Sequence, residues 1–83
     1  MKGRVIHIHH QRGMVAIETE GGELSVLELL DDEVEVGDEL QWKGDYPLGS
    51  ETIKNISQAT SMEVYFQNHC VPKNQLQQQL LYD

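Results

Sequence analysis

Apolar residues in this chain come in short runs that alternate with polar ones, and a glycine-bearing turn ends most of the runs. Side chains point to opposite faces of a strand at every step, so this period of two calls for β-structure. Residues 2–10 carry Val5, Ile6 and Ile8 with no helix start signal, and read as a first strand. Its apolar parity changes after Val5, as a bulged, strongly coiled barrel strand allows. Gln11-Arg12-Gly13 makes a turn. Residues 14–20 form a second strand, with Val15, Ile17 and Thr19 on one face and Met14, Ala16 and Glu18 on the other. Gly21-Gly22 supplies positive φ for a hairpin. In the third strand, residues 23–30, Leu24 and Val26 share one face while Ser25, Leu27 and Leu29 share the other.

Residues 31–38 are an acidic connection. Leu40 and Trp42 mark a fourth strand near 38–43, residues 44–49 have loop chemistry, and 51–56 read as a fifth strand. Met62, Val64 and Phe66 then share one face of a further strand at 61–68, which Pro72 stops. Residues 73–82 suit a short terminal helix, with Leu76 and Leu80 on one face. The expected fold is all-β: a small five-stranded barrel over 1–56, with an extension over 57–83 packed on the same single domain. That extension would hold an extra C-terminal strand and the short terminal helix. A closed barrel removes exposed sheet edges, and it gives a core to a chain of only 83 residues.

The charge is unevenly placed. Residues 1–17 hold three bases and no acid, residues 18–39 ten acids and no base, and the net charge is −8. A field of that sign repels phosphate backbones. No stretch approaches the roughly 20 apolar residues of a membrane span. The single cysteine excludes an internal disulfide framework. The start, Met1-Lys2-Gly3-Arg4, runs straight into strand-like sequence with no secretory hydrophobic segment. A cytoplasmic protein is the expectation.

The spacing resembles that of a cold-shock domain, an OB-fold barrel, over residues 3–56. Gly3 and Val5 are set from Arg12-Gly13 as that family sets its opening Gly-x-Val from its Lys-Gly. Met14-Val15-Ala16-Ile17 falls on its Phe-Gly-Phe-Ile, Gly21-Gly22 on its hairpin turn, and residues 36–42 on its entry to strand four. The resemblance implies an OB-like barrel with an SH3-like barrel as the rival. It also implies single-stranded nucleic-acid binding through exposed aromatics, but those positions here are His7, Ile8, Met14, Ala16, Ser25 and Glu28. Stacking on aromatics is worth roughly 1–3 kcal/mol per base, so their loss removes most of that binding energy.

Two binding readings follow. In the first, a non-enzymatic module docks an unidentified protein partner through an apolar face of Ile8, Met14, Ala16 and Leu27 and the acidic residues Asp31, Asp32 and Glu33. An apolar patch of that kind is normally covered by something; Phe66 or the Leu76/Leu80 face is one candidate. The alternative is an atypical single-stranded RNA- or DNA-binding protein using Lys2, Arg4, His7, Arg12 and Lys43. The chain would be a monomer, or a homodimer through the 61–68 strand. No cofactor and no membrane contact are implied. His7 and His9 share a strand face and could touch one ion with help from His69 or Cys70. Zinc, however, takes three or four ligands and second-shell support, and no paired Cys/His motif is present. His69-Cys70 is a poor nucleophile pair, because neighbouring strand residues point apart. The acids of 31–39 lack the spacing of a calcium loop.

Overall fold

A computed structural model describes residues 1–75. Its strands are β1 (Lys2–His9), β2 (Met14–Thr19), β3 (Leu24–Leu29), β4 (Glu39–Gln41), β5 (Gly49–Asn55) and β6 (Thr60–His69). They close into one barrel in the order β1-β2-β3-β6-β5-β4, with β4 returning to β1. Every pairing is antiparallel. This closed barrel is compatible with an OB-like fold.

The barrel has six strands where the sequence suggested five. The strand expected in the extension is part of the wall. β6 lies between β3 and β5, and its alternation of Met62, Val64 and Phe66 fills the interior. The terminal helix expected over 73–82 falls mostly outside the described residues; Lys73–Gln75 form a single 3₁₀ turn. Among the described residues no helix is long and apolar enough to cross a membrane.

The interior is built as the period of two dictates. Val5, Val15, Ile17, Leu27, Leu40, Ile53, Met62, Val64 and Phe66 point inward and are almost fully buried. Trp42 closes one part of this core against Phe66, with ring centroids 5.3 Å apart. In β1 the register slips between Val5 and His7, so Ile6 is the inserted residue and Ile8 returns to the inward side. That bulge explains why the apolar parity changes after Val5. Gly3 has a packing role: a Cβ there would lie 2.3 Å from Ile17 Cγ2 and 3.2 Å from the Trp42 ring.

A second, smaller core lies on the outer face of β2 and β3. Met14, Ala16, Leu24 and Val26 are buried there together with Val71, whose N–H donates to the Leu24 carbonyl at 3.0 Å. The apolar face expected from sequence is therefore divided. Met14 and Ala16 belong to this outer cluster, whereas Leu27 and the half-buried Ile8 face the barrel interior. Cross-strand pairing is the cause: Val15 lies opposite Leu27, so these two share the inward side. Phe66 does not cover the outer face, because it is itself 1% exposed inside the barrel. Leu76 and Leu80 lie outside the described residues.

Candidate functional site

One end of the barrel combines aliphatic and acidic side chains. The chain leaves β3 at Leu29 and crosses towards β4 through residues 30–38. Val34 plugs into the core at 5% exposed, so the acids on either side of it stay in solvent. Two further contacts fix the loop behind Val34: the Gly37 N–H donates to the Val5 carbonyl at 2.8 Å, and the Val5 N–H to the Asp38 carbonyl at 2.9 Å. The result is a cleft of about 490 Å³ lined by Ile8, His10, Leu29, Leu30 and residues 31–35. Leu30 is 46% exposed at its mouth. A neighbouring cleft of about 310 Å³ carries Asp31 and Asp32 on to Ser61, Met62 and Glu63 of β6. Of the residues expected to dock a partner, Ile8, Asp31, Asp32 and Glu33 come together here; Met14, Ala16 and Leu27 do not.

Asp38 holds the far end of this loop. Its carboxylate accepts from the Glu35 N–H at 2.9 Å, Asn55 Nδ2 at 2.9 Å and Gln58 Nε2 at 2.7 Å. Burial pushes its pKa up, but the hydrogen bonds from Asn55, the Glu35 N–H and Gln58 outweigh it and hold the value below the ordinary range.

The basic residues named for nucleic acid are not assembled in the same way. Arg4 pairs across the sheet with Glu18 on β2 and Glu39 on β4. Lys2 and Arg4 line a cleft of about 290 Å³ with Glu18, Glu20 and Glu39. His7 is exposed opposite Ala16, Arg12 lies in the β1–β2 turn, and Lys43 follows β4. Acids thus interleave with the cations around Arg4, where a backbone-tracking groove needs one continuous sign of charge.

A polar cluster that the sequence did not reveal joins β3, β6 and the loop before β5. Ser25 lies opposite His69 in the β3–β6 register, and its hydroxyl is 2.8 Å from His69 Nδ1. His69 Nε2 contacts the Pro47 carbonyl. A carbonyl only accepts, so Nε2 carries the hydrogen, and in the neutral ring Nδ1 then accepts from Ser25. The imidazole stacks on Phe66 at 5.2 Å and meets the edge of Tyr46 at 5.5 Å. Ser25 has no exposed surface, so its hydroxyl cannot meet a substrate, and the pair acts as a latch on the 44–48 loop. Beside it the Glu23 carboxylate accepts from the Tyr46 hydroxyl at 2.8 Å and the Cys70 thiol at 3.0 Å. Those bonds, Cys70 first, lower the Glu23 pKa. In return the Glu23 hydrogen bond pushes Tyr46 up to about 12 and raises the Cys70 thiol, which stays protonated and a weak nucleophile. The missing signal was the pairing of residue 25 with residue 69, which local spacing does not contain. Among the described residues no three His, Cys, Asp or Glu side chains converge as a metal site requires.

These features define a small closed antiparallel barrel with one acidic, aliphatic-lined end. Compared with known protein families, curated proteins and solved structures, the chain matches none.

Proposed function

We propose that this protein is a non-enzymatic docking module that takes a basic segment of a partner protein on the acidic end of its barrel. The scaffold is OB-like, and its framework spacing resembles that of cold-shock domains. The carrying observation is the cleft of about 490 Å³ in which Ile8, Leu29 and the exposed Leu30 are ringed by Asp31, Asp32, Glu33 and Glu35. Such a surface offers apolar contact for affinity and one sign of charge for steering and partner choice. Nucleic acid is the weaker reading, because Glu18 and Glu39 flank Arg4 and the stacking aromatics are absent.

Titration at low salt distinguishes the two. An oligolysine peptide carrying one leucine should shift backbone amide signals of residues 8 and 29–35 in an NMR spectrum, and less so as salt rises. Single-stranded RNA of mixed sequence should leave the signals of Lys2, Arg4, His7 and Arg12 in place. Salt-sensitive RNA shifts on β1 and β2, with silence towards the peptide, would replace this reading by the other.

A further inference from the structure

The wall of the barrel is incomplete beside the acidic end. β5 pairs with β6 down to Asn55 opposite Thr60, but the β3 ladder stops at Leu29 opposite Val64. Among the described residues β6 therefore runs on for residues 60–63 with β5 on one side alone. Beyond the ladder, one contact from the β3 end reaches it, the Leu30 N–H to the Glu63 carbonyl at 3.4 Å.

Backbone groups of an antiparallel strand face its two neighbours alternately. Since the Glu63 carbonyl faces the β3 side, Ser61 faces that side too. The other end of the sheet gives the same parity. The Ile56 N–H donates to the Glu39 carbonyl at 2.8 Å, so residue 56 faces β4 and residues 55 and 53 face β6. Their partners, Thr60 and Met62, then use their backbone groups on β5. The Ser61 N–H and carbonyl and the Glu63 N–H are left facing the cleft they share with Asp31 and Asp32. Neither residue has a ladder partner on that side among the described residues.

We infer that the partner segment enters this gap as an added β-strand along residues 60–63 of β6. The inference rests on the docking reading and supplies its mode. Main-chain hydrogen bonds give such an added strand its affinity, and pockets for alternate side chains give it specificity. Alternate residues of a strand project the same way, so a segment with Lys or Arg at every second position sets its cations against Asp31, Asp32 and Glu63. Leu30, which stands opposite Glu63 on the same face, lines the adjoining cleft of about 260 Å³ with Glu51 and gives the methylene stems of those cations an apolar contact. A second copy of this chain is the wrong occupant, since pairing two such edges would bring their acids together. Charge on an open edge is a usual defence against self-pairing.

The probe is the hexapeptide Lys-Val-Lys-Val-Lys-Val, with two isomers N-methylated at every lysine or every valine. The unmodified peptide should slow hydrogen exchange at the Ser61 and Glu63 amides at least tenfold at saturation. One methylated isomer, the one whose blocked edge faces β6, should bind at least tenfold more weakly, and the other should bind like the parent. Ser61→Pro should lose the parent peptide by a similar factor in a folded barrel, because that N–H is not used by β5. If both isomers bind like the parent, or Ser61 and Glu63 stay unprotected while Asp31 and Asp32 shift, strand addition is overturned and the docking reading stands. Unaltered peptide binding by the Asp31→Lys/Asp32→Lys variant overturns the charge-based docking instead. No shift anywhere at millimolar peptide overturns both.

Discussion

Gly3 and Asp38 show how single positions constrain this barrel. Gly3 fits a family-like spacing, and its physical role is to let β1 approach Ile17 and Trp42. A Cβ 2.3 Å from Ile17 Cγ2 cannot be accepted without displacing a fully buried branched side chain. Gly3→Ala should therefore cost about 1–3 kcal/mol by overpacking, read as a lower midpoint in urea with an unchanged slope. Asp38 is 7% exposed and takes three hydrogen bonds from the loop it terminates and from Asn55 and Gln58. Its native pKa lies below the ordinary 3.8. As the pH falls towards that range, the unfolded chain takes up the proton first, which favours unfolding. The stability Asp38 contributes is complete above about pH 5 and lost as the pH drops through its lowered native value. Asp38→Asn should cost about 1–3 kcal/mol at neutral pH, because an amide cannot replace a carboxylate accepting from three donors. The deficit should shrink in acid. Urea titrations of both proteins at pH 7, 5 and 3 check this; a deficit that is constant over pH would assign Asp38 no part in the acid response.

At the scale of elements, β6 decides the architecture. It closes the wall between β3 and β5 and brings Met62, Val64 and Phe66 into the core. A chain ending at residue 56 would lose those three buried side chains and expose two unpaired strand edges, so it should show no cooperative unfolding and no dispersed NMR spectrum. In the full chain Phe66→Ala should cost about 3–5 kcal/mol, since the ring sits against both Trp42 and His69. The strands themselves were legible because alternation and glycine turns are local signals. All six appear where the apolar period of two placed them, and the parity change at Ile6 marked the β1 bulge. What stayed hidden was which strands pair. A barrel closed over 1–56 leaves β6 outside the wall, and a shared face for Leu27, Met14 and Ala16 conflicts with the pairing of Leu27 opposite Val15. The acidic half of the candidate site was legible as composition. Its union with Ile8, Leu30 and the end of β6 depends on contacts far apart in sequence, as does the Ser25–His69 latch.

The described residues span 31 × 28 × 23 Å, and the full chain carries a net charge of −8. At 0.01 M salt the Debye length is about 30 Å, so nearly all of its charges feel one another; at 0.1 M it is about 10 Å and only neighbours do. The neighbours that matter are Asp31, Asp32, Glu33 and Glu35 around one cleft, with Glu51 and Glu63 on the strands beside it. Self-repulsion of this kind weakens the compact state, and unfolding relieves it by spreading the acids apart. Raising salt from 0.01 to about 0.3 M should therefore stabilise the barrel, by about 1 kcal/mol if each close like-charged pair contributes a few tenths. Asp31→Asn/Asp32→Asn should gain much of that stability at low salt and respond less to added salt. Both follow from thermal unfolding at matched pH, in sodium chloride so that excluded anions add little. The same variant should bind the basic peptide more weakly. Opposite movements of stability and binding would mean that the acids at this end are retained at the expense of the fold, as a docking surface requires. If the variant is no more stable than the parent, the loop already separates its charges well enough that their cost to folding is nil, and the case for function there loses its energetic support.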